Sequence, residues 1–227
     1  MSRTIMADPR RALSPHEGPR ASSVFINCPY DAEYRPVFDA IVFTLLCYGM
    51  WPRWADDSTR SLTRLDRIVD ALRASRFSIH DLSRCKGEGD ENLARMNMPL
   101  ELGMALEQAY PAKDAVRDHR CIVLVPAMSS YRQVVSDLNA FDLLPYDGTP
   151  EAMVSELGSF LKVSAGRVQA PTVLAIQRAL KDWNKLVALQ RKENGGKDPT
   201  WTEIVGRWDA LVSKRQLVAG SGNTGPA

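Results

Sequence analysis

The sequence predicts an α/β fold, a mostly parallel sheet flanked by helices, with a helical extension at its C-terminal end. Three observations predict it. Short apolar runs rich in β-branched and aromatic residues (23–27, 51–55, 77–80 and 121–125) alternate with stretches whose apolar residues recur three and four apart. The run Cys121-Ile122-Val123-Leu124-Val125 is unbroken and closed by Pro126, as expected of a strand buried on both faces. Strand and helix patterns alternate four times, which implies crossover connections and parallel pairing.

Taken in order, Ser23-Val24-Phe25-Ile26-Asn27 reads as a central strand ending in the loop Cys28-Pro29-Tyr30-Asp31. From Glu33 onward Val37, Phe38, Ile41, Val42, Leu45 and Leu46 fall at helical spacing. Pro36 lies near the start, where its missing N–H does no harm, and Gly49 supplies the stop. Residues 51–55 make a shorter second strand, and Asp56-Asp57-Ser58-Thr59 a loop. Leu62, Leu65, Ile68, Val69 and Leu72 mark an amphipathic helix. The third strand, 77–80, runs into a polar edge, Asp81-Leu82-Ser83, and then a mobile, charged loop to residue 96. A helix opens at Asn97-Met98-Pro99, with Glu101 in its first turn or just after it. Beyond the fourth strand, 130–138 reads as a helix, 142–148 as a loop and 150–163 as an amphipathic helix. From Pro171 the pattern is purely helical, with Val173, Ile176, Leu180, Trp183 and Val187 on one face. A turn at 194–199 and a short helix at 201–212 follow. The expected organisation is a disordered tail (1–21), an α/β domain (22–165), a helical extension (166–218) and a second disordered tail (219–227). The extension would pack on the core or serve self-association.

Composition narrows the function classes. Of the 227 residues, 44% are hydrophobic and 25% charged, ordinary for a chain that buries a sizeable core. Lysine and arginine number 29 against 27 aspartates and glutamates, so a net charge of +2 makes no case for nucleic acid or a membrane surface as partner. Cys28, Cys47, Cys85 and Cys121 form no Cys-x-x-Cys pair, which fits a reducing cytosol, and Cys47 and Cys121 are expected as buried thiols. His16, His80 and His119 lack metal-ligand spacing, and no metal site is expected. There is no signal-peptide core, no run of membrane-spanning length, and no Gly-x-Gly-x-x-Gly or P-loop pattern. Cytoplasmic residence is the expectation, with no resident cofactor.

In an open α/β sheet, ligands bind where chain leaves strand carboxyl ends and re-enters at helix amino ends. Three such loops should converge: Asn27-Cys28-Pro29-Tyr30-Asp31, Asp56-Asp57-Ser58 and Asp81-Leu82-Ser83, joined by the helix start from Asn97 and Met98 to Glu101. Their carboxylates, hydroxyls, aromatic ring and helix-start N–H groups suit a ribose and a phosphate. Glu101 near a helix amino end feels the helix dipole, which favours its ionised form. An ionised carboxylate beside a sugar can stabilise an oxocarbenium-like transition state as a glycosidic bond breaks, or attack the anomeric carbon itself. Asp81 could position the sugar or a water. Structural roles are open to the same residues: Glu101 as a cap or dipole partner, Asp81 as a loop cap, Tyr30 and Tyr34 as packing aromatics, and His80 as a satisfied structural histidine.

The motifs also carry a resemblance. Val24-Phe25-Ile26-Asn27-Cys28-Pro29-Tyr30-Asp31 resembles the first strand and loop of Toll/interleukin-1 receptor (TIR) domains. Residues 65–83, with Ile68 and Ala71 before Ser75-Arg76 and a strand ending at Ser83, look like the next TIR block. Pro99-Leu100-Glu101-Leu102-Gly103 falls where TIR domains place their Glu-Leu helix. The same Glu-Leu-Gly, with Ala105, is similar to nucleoside 2-deoxyribosyltransferases, whose nucleophilic glutamate lies in such a helix. The strings FINCPYDAEYRPVF and NMPLELG together resemble a group of bacterial TIR-like proteins. The chain departs from the TIR pattern at Asn97-Met98-Pro99-Leu100, where Ser-x-Trp-Cys is usual, and in its added segment 84–96.

The resemblance covers about 24–125 and implies a flavodoxin-like (TIR-like) fold. It also implies cleavage of an N-glycosidic bond with NAD⁺, or a related nucleotide, as substrate. Glu101 would be the key carboxylate, Asp81 and Ser83 would hold ribose, and Asn27, Tyr30 and Asp31 would line the nucleotide cleft. The implied biology is a bacterial antiphage effector that depletes NAD⁺ once assembled, as a homo-oligomer through the C-terminal helices or TIR surfaces. Two other readings stand beside it: a nucleoside deoxyribosyltransferase with Glu101 as nucleophile, and a non-catalytic TIR-like nucleotide sensor or adaptor.

Overall fold

A computed structural model describes residues 19–54, 63–84, 87–88, 93–94, 96–110, 118–126, 143–166, 171–197 and, beyond these, 199, 203, 207, 208 and 211. Five strands, β1 (Ser23–Asn27), β2 (Trp51–Arg53), β3 (Phe77–Asp81), β6 (Arg120–Pro126) and β7 (Leu143–Tyr146), form one all-parallel sheet in the order β2-β1-β3-β6-β7. That is the flavodoxin-like order, in which the chain's first strand lies inside the sheet and the direction of winding switches beside it. A separate two-residue antiparallel ladder, β4 (Gly87–Glu88) with β5 (Leu93–Ala94), lies within the segment that reads as a charged loop.

Side chains alternate across the pleat, so each strand feeds two layers. Val24, Ile26, Phe77, Ile79, Ile122 and Leu124 face α1 (Arg35–Cys47) and α4 (Pro150–Ser164). Phe25 meets Ile68, Ala71, Leu72 and Ala105, and Val123 and Val125 meet Met98 and Leu102, on the face of α2 (Arg64–Arg73) and α3 (Asn97–Ala109). The local reasons are legible in the residues. Thr63 and Asp66 form a reciprocal capping box at the start of α2, and α1 ends where Gly49 takes a φ of 65°. The outermost helix, α5 (Val173–Glu193), packs on α1 and α4. Its Ile176, Leu180, Trp183 and Val187 are buried in the same core, so the apolar stripe belongs to the fold, and Leu174 and Leu189 are the large hydrophobics it exposes.

Several expectations change. The stretch expected as loop at 142–148 contains the edge strand β7, whose Pro145 has no N–H to give a ladder and is tolerated at an edge. The sheet therefore has five strands where the sequence pattern counts four. The tail expected to end at residue 21 is ordered from Pro19: Arg20–Ser22 is a 3-10 turn, and Arg20 pairs in two places with the Asp118 carboxylate. Cys47 and Cys121 are partly buried, with burial pushing their thiols up to about 12 and about 11. The helix expected at 130–138, and most of the one at 201–212, lie outside the described residues. No described helix is long and apolar enough to cross a membrane.

Candidate functional site

The carboxyl ends of β1 and β3 meet the amino end of α3 at one edge of the sheet. Asn27 and His80 are register partners, so their side chains leave the same face, toward α3. The buried Asn27 amide donates one N–H to the Met98 carbonyl oxygen and the other to His80 Nδ1, each at 3.0 Å. Met98 is the second residue of α3, so this bond ties the helix start to the strand end. The helix has no side-chain cap: Met96 precedes it in helical conformation, and Pro99 removes one of the amino-end N–H groups.

Glu101 lies three residues beyond Met98, on the same inward face as Leu102 and Ala105. It is 5% exposed, and its carboxyl group has no hydrogen-bond partner among the described residues. Burial raises its pKa from 4.5 to about 7, against a weaker opposing pull from the Arg64 charge. The sequence suggests the opposite, an ionised form favoured by the helix dipole. Magnitudes decide: the dipole is worth about 0.3–1 kcal/mol, whereas a rise from 4.5 to about 7 stands for about 3 kcal/mol against the charged form. Loss of water outweighs the helix end.

Asp81 leaves the opposite face of β3 and is fully buried. Its Oδ2 accepts the hydroxyls of Tyr34 at 2.6 Å and Tyr146 at 2.5 Å, and its Oδ1 accepts the Ser83 backbone N–H at 2.6 Å. Burial first, and then the Asp81 charge, holds both tyrosines far above their ordinary titration range. Asp81 is thus engaged by three donors and clamps α1, β3 and β7 together, in addition to any contact with a ligand.

Cys28, the residue after β1, joins the two halves of the site. Burial pushes its thiol well up, and the carboxylates of Asp81, Glu101 and Asp31 push it further, with Arg35 opposing. Burial and this negative surrounding both keep the thiol protonated, so Cys28 is no nucleophile. Asp31 Oδ1 accepts the Tyr34 N–H at 2.9 Å and lies 3.5 Å from Arg84, whose guanidinium bonds Glu33 at 2.6 Å. The Tyr30 hydroxyl donates to the Ile26 carbonyl at 2.6 Å, its ring packs edge-on against Phe38 at 5.6 Å, and 44% of the residue stays exposed. Pro29 and Met98 are buried, Ser83 is half-buried and Asn97 is exposed. Asp56 and Asp57 lie outside the described residues.

The site also draws on residues that sequence reasoning missed or undervalued. Tyr146 falls in the stretch expected as loop, and Tyr34 reads as a packing or stacking aromatic, not as a donor to Asp81. Arg53, at the end of β2, is buried at the same strand edge, and burial lowers its pKa. Among the described residues no cluster of three or more His, Cys, Asp or Glu side chains could hold a metal ion.

Fold and site together define an α/β protein of flavodoxin-like order whose strand-end edge carries a buried glutamic acid with no hydrogen-bond partner among the described residues. Compared with known protein families, curated proteins and solved structures, the chain matches none.

Proposed function

We propose that this protein cleaves N-glycosidic bonds, with NAD⁺ as substrate and Glu101 as the carboxylate that meets the ribose. One observation carries the reading: a glutamic acid 5% exposed, with no hydrogen-bond partner among the described residues, at the strand-end edge of a parallel sheet. Among the described residues this group gets no hydrogen bond and only a weak pull from the Arg64 charge in return for lost water, and a ligand with hydroxyls and a positive centre would give it more. NAD⁺ carries both. As the bond between the anomeric carbon and the nicotinamide nitrogen breaks, its electron pair neutralises the pyridinium and positive charge develops on the ribose. An adjacent carboxylate stabilises that charge. Water then adds to the anomeric carbon and releases a proton, giving ADP-ribose and nicotinamide. The clamp on Asp81 and the fixed Tyr30 ring would shape the walls of the cleft. Depletion of NAD⁺ as a bacterial antiphage effector follows from the TIR resemblance.

The test is nicotinamide release from NAD⁺ by concentrated purified protein, followed by chromatography, with Glu101→Gln beside it. The parent is expected to release nicotinamide and the variant to lose at least about a hundredfold in rate. Full activity in a folded Glu101→Gln would remove Glu101 from the reaction. A covalent pentosyl adduct on the intact protein would move the reading to glycosyl transfer. Because the ionised form is the reacting one, kcat/KM should rise with pH and level off above about 7, the pKa of Glu101 in the free protein. The cationic substrate stabilises the carboxylate, so the kcat profile should level off at a lower pH than kcat/KM.

A further inference from the structure

Under α2 and α3, a file of hydrogen bonds runs along β3 from its carboxyl end to its amino end, with the Cys121 thiol beside Ser78. The Met98 carbonyl and His80 Nδ1 each accept an N–H of Asn27 at 3.0 Å. Behind them, His80 Nε2 meets Ser78 Oγ at 2.8 Å, Ser78 Oγ meets His119 Nε2 at 2.9 Å, and His119 Nδ1 meets the Ser75 carbonyl at 3.1 Å. Every side chain in the file is buried.

The file has one direction. Both of its ends are backbone carbonyls, which only accept. His119 must therefore carry its proton on Nδ1, which leaves Nε2 bare to accept the Ser78 hydroxyl. Ser78 Oγ is then the acceptor for a proton on His80 Nε2, and His80 Nδ1 is bare. A bare Nδ1 accepts from Asn27 and holds its amide with nitrogen, not oxygen, toward α3. With the amide turned over, its oxygen would oppose the Met98 carbonyl oxygen. Both imidazoles must be neutral for this, and burial lowers the pKa of each, that of His80 to about 3.

Packing alone does not call for such a file, because apolar residues of the same shape would fill this layer at no greater cost. Apolar contact is non-directional, however, and does not fix the rotation or register of a helix start, whereas a fully satisfied polar network does. The element that the file ends on is the first turn of α3, three residues before Glu101. We propose that His80, with Ser78 and His119 behind it, is a positioning residue: by fixing Asn27 as a donor in both directions, it holds the start of α3, and with it Glu101, against the end of β1. Its catalytic meaning rests on the reading that Glu101 is the reacting carboxylate.

The test uses the full chain with histidine nitrogens and glutamate carboxyls observed by NMR, in the parent and in Ser78→Ala, His80→Leu and His80→Asn. The expected parent spectrum has a bare Nδ1 and a protonated Nε2 on His80. Ser78→Ala removes the acceptor that fixes this tautomer, and His80→Leu removes the acceptor for Asn27. In both, the Glu101 pKa should fall by about one or more from about 7, with circular dichroism unchanged. His80→Asn sets an amide oxygen near the former Nδ1 and should keep the parent titration. With NAD⁺, Ser78→Ala should lose about tenfold in kcat at nearly constant KM, and His80→Asn should retain it. A protonated Nδ1 on His80 in the parent overturns the proposal, as does a Glu101 titration unmoved in Ser78→Ala. If His80→Leu fails to fold, Ser78→Ala still decides, since it removes one hydroxyl and keeps both rings. A parent inert toward NAD⁺ refutes the proposed reaction and leaves the two NMR readouts to decide the positioning.

Discussion

Glu101 is a residue at which folding and chemistry pull in opposite directions. A carboxyl whose folded pKa is raised binds its proton more tightly folded than unfolded. The fold therefore loses stability as pH rises from 4.5 to about 7, and the full cost stands above that range. Glu101→Gln keeps the shape and removes the charge. It is expected to be more stable than the parent by about 1–3 kcal/mol at about pH 8, with the gain gone below about pH 4. Urea unfolding at the two pH values checks this, and a variant less stable at both would mean that the carboxylate has a partner it needs. Glu101, Asn27 and Asp81 were legible in the sequence because each is a polar residue set at the end or inner face of an apolar run. The bonds that Asp81 makes were not, because they join residues 47 and 65 positions apart, and no local pattern encodes which tyrosine reaches a buried carboxylate. The sign of the Glu101 shift was misread for a related reason: a helix end is visible in sequence, whereas the depth of burial is a property of the assembled layers.

At the level of elements, the contact between α1, α4 and α5 turns on one missing side chain. A Cβ on Gly158, in α4, would come within 2.9 Å of the Tyr48 hydroxyl and 3.3 Å of Val173 Cγ2. That hydroxyl is itself buried without a hydrogen-bond partner among the described residues. Gly158→Ala gains about 0.5–1 kcal/mol of helix propensity but loses about 1–3 kcal/mol to overpacking, so the single variant should be destabilised. Tyr48→Phe removes the obstructing and unpaired oxygen, and in that background Gly158→Ala should become stabilising. Denaturant unfolding of the two single variants and the double variant measures the coupling, and simple additivity would show that the hydroxyl is not what excludes the methyl. The same scale explains which elements the sequence disclosed. β1, α1, α3 and β6 have long or strongly periodic apolar patterns and fall within a few residues of expectation. β7 is four residues with a proline third, and the β4–β5 ladder is two residues on each side. Neither carries a period, and both exist because neighbouring backbone offers them partners.

Across the whole molecule, the core is continuous from the sheet through α1 and α4 to α5. The sequence suggests a boundary near residue 166, where the pattern becomes purely helical, and among the described residues α5 packs on α1 and α4, one of the two arrangements expected. Trp183 is buried with its ring centroid 5.2 Å from that of Phe43 in α1, and Trp208 and Leu211 join the same cluster. Arg191, near the end of α5, bonds Asp39 of α1 at 3.1 Å. A chain ending at residue 166 would lose the partners of that α1 and α4 surface. Ile176, Leu180, Trp183 and Val187 each contribute about 1.5–3 kcal/mol of burial, so the loss is about 6–12 kcal/mol, comparable with the whole stability of a typical domain at about 5–15 kcal/mol. The truncated chain is therefore expected to lack a cooperative unfolding transition and near-ultraviolet circular dichroism, and to bind a hydrophobic dye. A cooperative transition in residues 1–166 would instead make the helices a separable module, with a stripe free to pair with another copy. If the truncated chain fails to fold, the buried face of α5 cannot be the seam of self-association. Any assembly that drives the proposed chemistry must then use surfaces outside that face.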